Sequence, residues 1–359
     1  MNNQNLWQLY YDTETTGINT KFSNIVSIHM ELVNETFKPL TRYNSFCSLR
    51  SGVLPEIGAV LVTDLSPKFL QQKNKSHFQM IKEIHAFITK HTPCIMSSWN
   101  GILYDSEILR SAFFQNLLPI YIEQTEGNMR HDLLNTARAT SIYDPGKLVY
   151  PLNEKRQPYF KLEDICKANG IVAEGDFHSA KVDVMSTIEV GKLISEKCPD
   201  IWKEALNNLQ KDKIISSVKD KDIFSIFESF YGKIHPKLTT WVCTHKEYKY
   251  ELVWDLSQDP QIVIDLIDDY SAFKKEINAT PKKLRTIRPS RAQLILDENY
   301  AKKVAPYNVM SSETLKKRVD LIKKYRTKLT ANIDRINSEK VEEKKDLDDN
   351  LIGSLYPEE

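Results

Sequence analysis

The stretch YYDTETTG, residues 10–17, decides how the rest of the chain is read. Its aromatic start reads as the end of a strand, and Asp12 and Glu14 stand two residues apart within it. In a strand, residues i and i+2 share a face, so both carboxylates point the same way and can share a divalent cation. The same Asp-x-Glu spacing recurs at Asp105 and Glu107, but there the flanking residues read as a helix, where i and i+2 diverge. Only the first pair can act as a two-carboxylate claw. Capping or a turn salt bridge would explain Asp12 and Glu14 equally well if they stood alone.

Composition sets the background. The chain has 359 residues, 41% of them hydrophobic, and a net charge of +1, enough for a sizeable core in two or three domains and without overall bias toward nucleic acid. No stretch approaches a membrane span and the start has no signal-peptide pattern, so a cytoplasmic, non-membrane protein is expected. Cys47, Cys94, Cys166, Cys198 and Cys243 are far apart and fit neither a zinc pattern nor a disulfide framework; they read as reduced packing residues.

Working outward, LWQLYYD and NIVSIHMELVN read as neighbouring strands. A loop, SGVLPEIGAVLVTDLSP, leads to a helix with Phe78, Ile81, Ile84 and Ile88 at helical spacing, and then to the short strand CIMSS. Further helices are expected over DSEILRSAFFQNLL, RHDLLNTARAT, KLEDICKANG and HSAKVDVMSTIEVGKLISEK. Strands lead and helices follow, an α/β sheet over residues 1–197. Beyond it, TTWVCTHKEYKYELVWDLS alternates as in a β-hairpin or small barrel, and the chain turns helical and charged after Ser311.

Two further signals join Asp12 and Glu14. Asp105 opens a helix after a strand, with Asn100 and Tyr104 before it, a position that can aim a carboxylate into the cleft at the strand ends, although an ordinary N-cap would also explain it. FHSAKVD carries His178 and Asp183. A lone histidine before a helix is a bland feature. Four acids and a histidine in the order Asp-x-Glu, Asp, His-x4-Asp are not.

This order resembles the DEDDh exonuclease superfamily, with DTETTG, NGILYD and HSAKVD at its three motif positions. Within it the chain is most similar to the bacterial exonuclease I family, whose layout GAVLVTDLSP, RHDLLNTARA, FKLEDICKANGI and LRTIRPSRAQLI follow. The resemblance implies an RNase H-like exonuclease domain with a mixed sheet and flanking helices (1–197), and an SH3-like α+β domain (198–338). Residues 339–359 are then a charged helical tail or the start of a C-terminal helical domain. It implies 3'→5' degradation of single-stranded DNA to nucleoside 5'-monophosphates, in DNA repair, by a monomer. Two Mg²⁺ ions, replaceable by Mn²⁺, would be held by Asp12, Glu14, Asp105 and Asp183, since hard oxygen ligands suit these cations. His178 would take a proton from the attacking water. Because the sequence ends at Glu359, a clamp formed by a further helical domain is not expected, and degradation in short runs with frequent release is.

For the strand itself, Glu14, Thr15, Thr16 and Gly17 are expected at the terminal nucleotide, Gly58, Ala59 and Val60 against its sugar and base, and Asn100 and Tyr104 nearby. Residues 281–328 hold fourteen Lys or Arg against four acids, either a solvated face or a phosphate-tracking surface. Trp241, Tyr248, Tyr250 and Trp254 are either core or stacking platforms. The acidic tail of single-strand binding protein is a further expected partner. The rival readings are another DEDDh nuclease, such as a proofreading subunit or oligoribonuclease, and a non-catalytic single-strand-binding protein; the second usually lacks a ligand, and none of the five residues is missing.

Overall fold

The computed structural model describes residues 7–347 other than 174, 176 and 231, with side chains described as far as 339. The chain divides into two compact units, Met1–Leu209 and Gln210–Glu359.

The first unit is built on a five-stranded mixed sheet: β1 (Gln8–Thr15), β2 (Ile25–Val33), β3 (Pro39–Phe46), β4 (Ile95–Ser98) and β5 (Met129–Asp132), in the order β3-β2-β1-β4-β5. β2 runs antiparallel to β1 and to β3, whereas β4 and β5 continue parallel to β1. The central position of β1 explains why it reads as apolar on both faces. Leu9 and Tyr11 pack into a core with Met80, Ile81, Ile84, Ile88, Ile108 and Leu109, while the Tyr10 hydroxyl lies against Gly191. The even-numbered residues of β1, Asp12 and Glu14 included, therefore share the Gly191 side.

The helices of this unit are α1 (Ile57–Thr63), α2 (Pro67–Gln71), α3 (His77–Lys90), α4 (Asp105–Gln115), α5 (Leu133–Tyr143), α6 (Leu162–Ala168), α7 (Ala180–Lys197) and α8 (Pro199–Asn207). α3 starts where the Ser76 hydroxyl accepts from Gln79 N at 3.2 Å, as an N-cap should. Its buried stripe is Met80, Ile81, Ile84 and Ile88; Phe78, expected on that stripe, is 54% exposed. The expected loop over 51–67 carries the short helix α1 and ends where α2 begins, and RHDLLNTARAT is split between β5 and α5. The split has a local cause: the Asp132 carboxylate accepts from Leu134 N at 3.1 Å, ending the strand and capping the helix. β3 had no alternating apolar pattern to announce it, because only Ser45 of its eight residues is buried. The unit closes after Leu209 rather than at 197, where composition changes, because Ile201 and Ala205 of α8 are buried.

The second unit has α9 (Lys211–Asp220) and an antiparallel sheet of β6 (Phe224–Phe230), β7 (Lys233–Thr244), β8 (Glu251–Asp255) and β9 (Leu284–Ile287), in that order. The expected hairpin is the β7–β8 pair. Also present are α10 (Gln261–Ile264), α11 (Tyr270–Asn278), α12 (Glu298–Lys302) and the long α13 (Ser312–Leu347). Leu315, Val319, Ile322, Leu329, Ile333 and Ile336 of α13 join Trp254, Phe273 and Tyr307 in one core, a stripe at helical spacing. The tail expected over 339–359 continues α13 to Leu347, and residues 348–359 lie outside the described residues. Among the described residues no helix is long and apolar enough to cross a membrane.

Candidate active site

Three separated pieces of chain bring their acids together. Asp12 and Glu14 come from β1 and Asp183 from the first turn of α7, and one carboxylate oxygen of each lies within 4.8 Å of the others. The face shared by Tyr10, Asp12 and Glu14 is the face that α7 covers, so the period of the strand delivers two of the three.

Asp105 stands outside that tightest trio but faces it: its charge is the first to act on Asp12 after burial. It begins α4, and its Oδ1 accepts from the Thr13 amide at 3.1 Å and the Thr13 hydroxyl at 2.6 Å. Thr13, between the two acids, thus holds the fourth through both its amide and its hydroxyl. The turn before α4 is equally tight. A Cβ at Gly101 would lie 2.6 Å from Ser98 Cβ and 3.0 Å from Asp105 Oδ2, so only glycine lets the chain pass. Asn100, at φ 61, donates its amide to Asp132 Oδ1 at 3.0 Å, which ties this turn to the cap of α5.

The electrostatics are those of an acid cluster without its counter-charge. Burial, then Asp105, Glu14 and Asp183, raise the Asp12 pKa well above the carboxylate range. Burial followed by Asp183 and Asp105 pushes Glu14 up to about 8. Burial pushes Asp105 up to about 7 against the Thr13 hydrogen bonds that lower it. Asp183 rises to about 6, again by burial, with His178 pulling the other way. No lysine or arginine among the described residues forms an ion pair with these four. A buried cluster of like charges is costly unless protonated or occupied by cations, and an all-oxygen donor set fits hard divalent ions. His178 lies just before α7, exposed and at φ 66, close enough for its charge and backbone to act on Asp183.

The residues expected around a terminal nucleotide are arranged as follows. The Tyr104 hydroxyl donates to the Gly17 carbonyl at 2.7 Å and meets the Thr15 hydroxyl at 2.5 Å. The Thr16 amide donates to Asn24 O, and its hydroxyl accepts from Asn24 N, both at 2.9 Å. Thr15, Thr16 and Tyr104 thus fasten the loop after β1 to its neighbours. Gly58, Ala59 and Val60 lie on α1, which buries no residue. α1 is joined to that loop through Glu56, whose amide donates to Thr16 O at 2.7 Å and whose carboxylate fills the space a Gly17 side chain would need. Ile18, Leu54, Ile57 and Leu61, each more than three-quarters exposed, give this part of the unit an apolar surface.

Sequence reasoning missed three supports. Thr13 was legible, since it sits inside the motif. Asp132 had an N-cap signal before an apolar run. Glu123, which accepts from the Tyr11 hydroxyl behind the site at 2.5 Å and from Ser106 at 3.2 Å, had none.

Comparison with known proteins agrees with the resemblance. No family model matches the chain. It is similar to the curated exodeoxyribonuclease I of Buchnera aphidicola from Schizaphis graminum, 29% identical over 266 residues that make up 73% of this chain and 53% of that one. It is likewise similar to exodeoxyribonuclease I of Escherichia coli, 26% identical over 272 residues, 73% of this chain and 54% of that one. The chain spans about half the length of these curated relatives. Among solved structures, E. coli exonuclease I in complex with a dA16 oligonucleotide superposes with a TM-score of 0.78 at 20% identity, over 91% of this chain and 74% of that one. A structure of SSB/exonuclease I in complex with the inhibitor CFAM superposes with a TM-score of 0.79 at 20% identity, over 98% and 76%. The chain therefore has the mixed-sheet α/β fold of these exonuclease I structures.

Proposed function

We propose that this chain is a 3'→5' exonuclease that hydrolyses single-stranded DNA to nucleoside 5'-monophosphates. The observation that carries the proposal is the convergence of Asp12, Glu14 and Asp183 within 4.8 Å, with Asp105 facing them and no cationic side chain among the described residues paired to any of the four. Asp12, Glu14, Asp105 and Asp183 hold two divalent ions, Mg²⁺ or Mn²⁺. Such ions supply charge stabilisation for an in-line phosphoryl displacement.

The chain's own residues do the rest. Thr13 keeps the Asp105 carboxylate turned toward the cluster, and Asp132 and Gly101 fix the turn that delivers it. His178, exposed at the start of α7, accepts the proton of the attacking water. Glu14, Thr15, Thr16 and Gly17, with Asn100 and Tyr104, form a stiff wall for the terminal nucleotide, and the apolar α1 side of that wall, with Gly58, Ala59 and Val60, packs on its sugar and base. The antiparallel sheet of the second unit reads as an SH3-like domain. Its exposed lysines, among them Lys282, Lys316, Lys317 and Lys324, supply sequence-independent attraction for phosphates. Single-strand binding protein is a further partner, a reading the SSB/exonuclease I structure supports, and its acidic tail is the segment held. A cytoplasmic monomer acting in DNA repair completes the reading.

The test is purified protein with and without Mg²⁺ on 5'-labelled and 3'-labelled single-stranded DNA, duplex DNA and RNA. Mg²⁺-dependent shortening from the 3' end of single-stranded DNA is expected. Absence of hydrolysis on every substrate would leave the non-catalytic binding protein as the better reading.

A further inference from the structure

We propose that the second unit carries its own nucleotide-binding site, a cavity of about 320 Å³ lined by Lys211, Tyr248, Tyr250 and Arg288, in which a base of a single strand stacks on the tyrosine pair and Arg288 and Lys211 take the neighbouring phosphates. The inference rests on the single-strand reading above and adds a site to it.

The tyrosines stand two residues apart, at the end of the β7–β8 loop, where alternation alone would place them on one face. The loop is held from both ends. His245 N donates to Tyr250 O at 2.7 Å, and Lys249 N donates to His245 O at 3.1 Å with Lys249 at φ 55. The buried His245 ring accepts from the amides of Glu247 and Tyr248 through Nδ1, at 3.2 and 3.3 Å, and touches both tyrosine rings at 5.0 and 5.5 Å. The result is two rings 5.3 Å apart and 13° from parallel, an ordered aromatic surface whose side-chain entropy is already lost before a ligand arrives.

The charge at this cavity is available in a way that the charge of Lys283 and Arg285 is not. Arg288 sits 5.1 Å from the Tyr250 ring centre, and among the described residues no carboxylate pairs with it or with Lys211. Nearby, Lys283 is paired to Glu276 and Arg285 to Glu228 and Asp255. Glu247 is the one acid in the lining. Every base has a π-face, so parallel aromatic rings beside uncommitted cations suit a nucleic-acid strand of any sequence. An acidic peptide would use the cations but has no such need of the ring planes.

The experiment uses the full chain in EDTA, so that binding is read without hydrolysis, and fluorescein-labelled dT16 as the probe in fluorescence anisotropy. Tyr250→Leu should raise the dissociation constant by about tenfold, the scale of one lost base stack. Arg288→Gln should weaken binding and make the salt slope shallower by about 0.7, one phosphate contact. If Tyr250→Leu fails to fold, Arg288→Gln, at a half-buried position on the cavity wall, decides. Unchanged affinity and slope in folded Arg288→Gln would overturn the site. So would loss of binding to a labelled hexa-aspartate peptide with dT16 binding intact, which would assign the cavity to a protein partner. Mg²⁺-dependent hydrolysis by the wild-type chain is scored separately, so the exonuclease reading and this site can fail independently.

Discussion

In the first unit, four carboxylates are gathered from β1, α4 and α7 with no lysine or arginine among the described residues to neutralise them; in the second, five of the fourteen Lys and Arg along 281–328 are committed to ion pairs within their own fold. Lys283, 3% exposed, is bound to Glu276. Arg285 bridges Glu228 and the buried Asp255, Lys302 pairs with Glu298, Lys323 with Asp222 and Lys328 with Asp268. The Arg318 and Arg326 guanidinium groups donate to the Leu256 and Trp241 carbonyls at 2.6 and 3.3 Å. A count of charges in a sequence therefore says little about charge on offer to a ligand. Four acids held apart from cations are a stronger signal than fourteen bases scattered along 281–328.

The sharpest way to break this comparison is to remove the cluster's charge. Asp12→Asn or Asp183→Asn should abolish Mg²⁺-dependent hydrolysis of labelled single-stranded DNA, because each removes a proposed ion ligand. Near wild-type turnover in either would dissolve the contrast. The folded state should survive, and in metal-free buffer the melting temperature of Asp12→Asn should rise, since a buried like-charge contact is gone.

His178→Ala should slow hydrolysis by about 10²- to 10⁴-fold, the usual contribution of a positioned base, and recover partly at high pH where hydroxide substitutes. A rate loss without that pH response would leave His178 as a mere support for α7.

In the second unit the expected loss is of stability. Arg285→Ala leaves the part-buried Glu228 without its cation, while Asp255 keeps Lys237 at 2.9 Å, and should cost about 1–3 kcal/mol, as for an unsatisfied buried group, measured by denaturant unfolding. The exposed Lys282→Ala should change stability by less than about 0.5 kcal/mol. Equal, small effects would mean that the basic stretch is a solvated surface throughout. Charge reversal at Lys283 or Arg285 is accordingly no clean probe of strand binding.

The smallest effect is on the pH dependence of stability without metal. Glu14, Asp105 and Asp183 have folded-state pKa values raised to about 8, 7 and 6. For acids shifted upward, the stabilising contribution is full below the ordinary carboxylate range and is lost as pH rises through the raised values. In EDTA the melting temperature should thus fall between pH 5.5 and 8.5 more than in a Glu14→Gln, Asp183→Asn double variant, and Mg²⁺ should remove the difference by favouring the charged forms. A melting curve insensitive to Mg²⁺ at pH 8.5 would argue against ion binding.

Much of the site was legible because its chemistry is written in local spacing. Asp12 and Glu14 share a face by the period of a strand, and Asp105 and Asp183 each sit in the first turn of a helix whose beginning the sequence marks. β3 and β5 were not legible, the first because half its residues face out, the second because it is only four residues long. The aromatic residues of the second unit divide on tertiary grounds alone. Trp254 is fully buried with its Nε1 donating to Gln258 O at 2.9 Å, and Trp241 is committed to Glu251 at 2.8 Å with Arg326 against its ring, whereas the Tyr248–Tyr250 pair lines an open cavity.

The sequence by itself determined the fold class, the resemblance to exonuclease I and the identity of the candidate ligands, because periodicity and motif order are properties of the chain read in one dimension. Only the tertiary structure decided that Thr13 holds Asp105, that Thr15, Thr16 and Tyr104 brace the loop after β1, and which cations remain uncommitted. Each of these depends on partners separated by tens of residues, and the energy of a charge or a hydrogen bond is set by burial and by the group that ends up beside it.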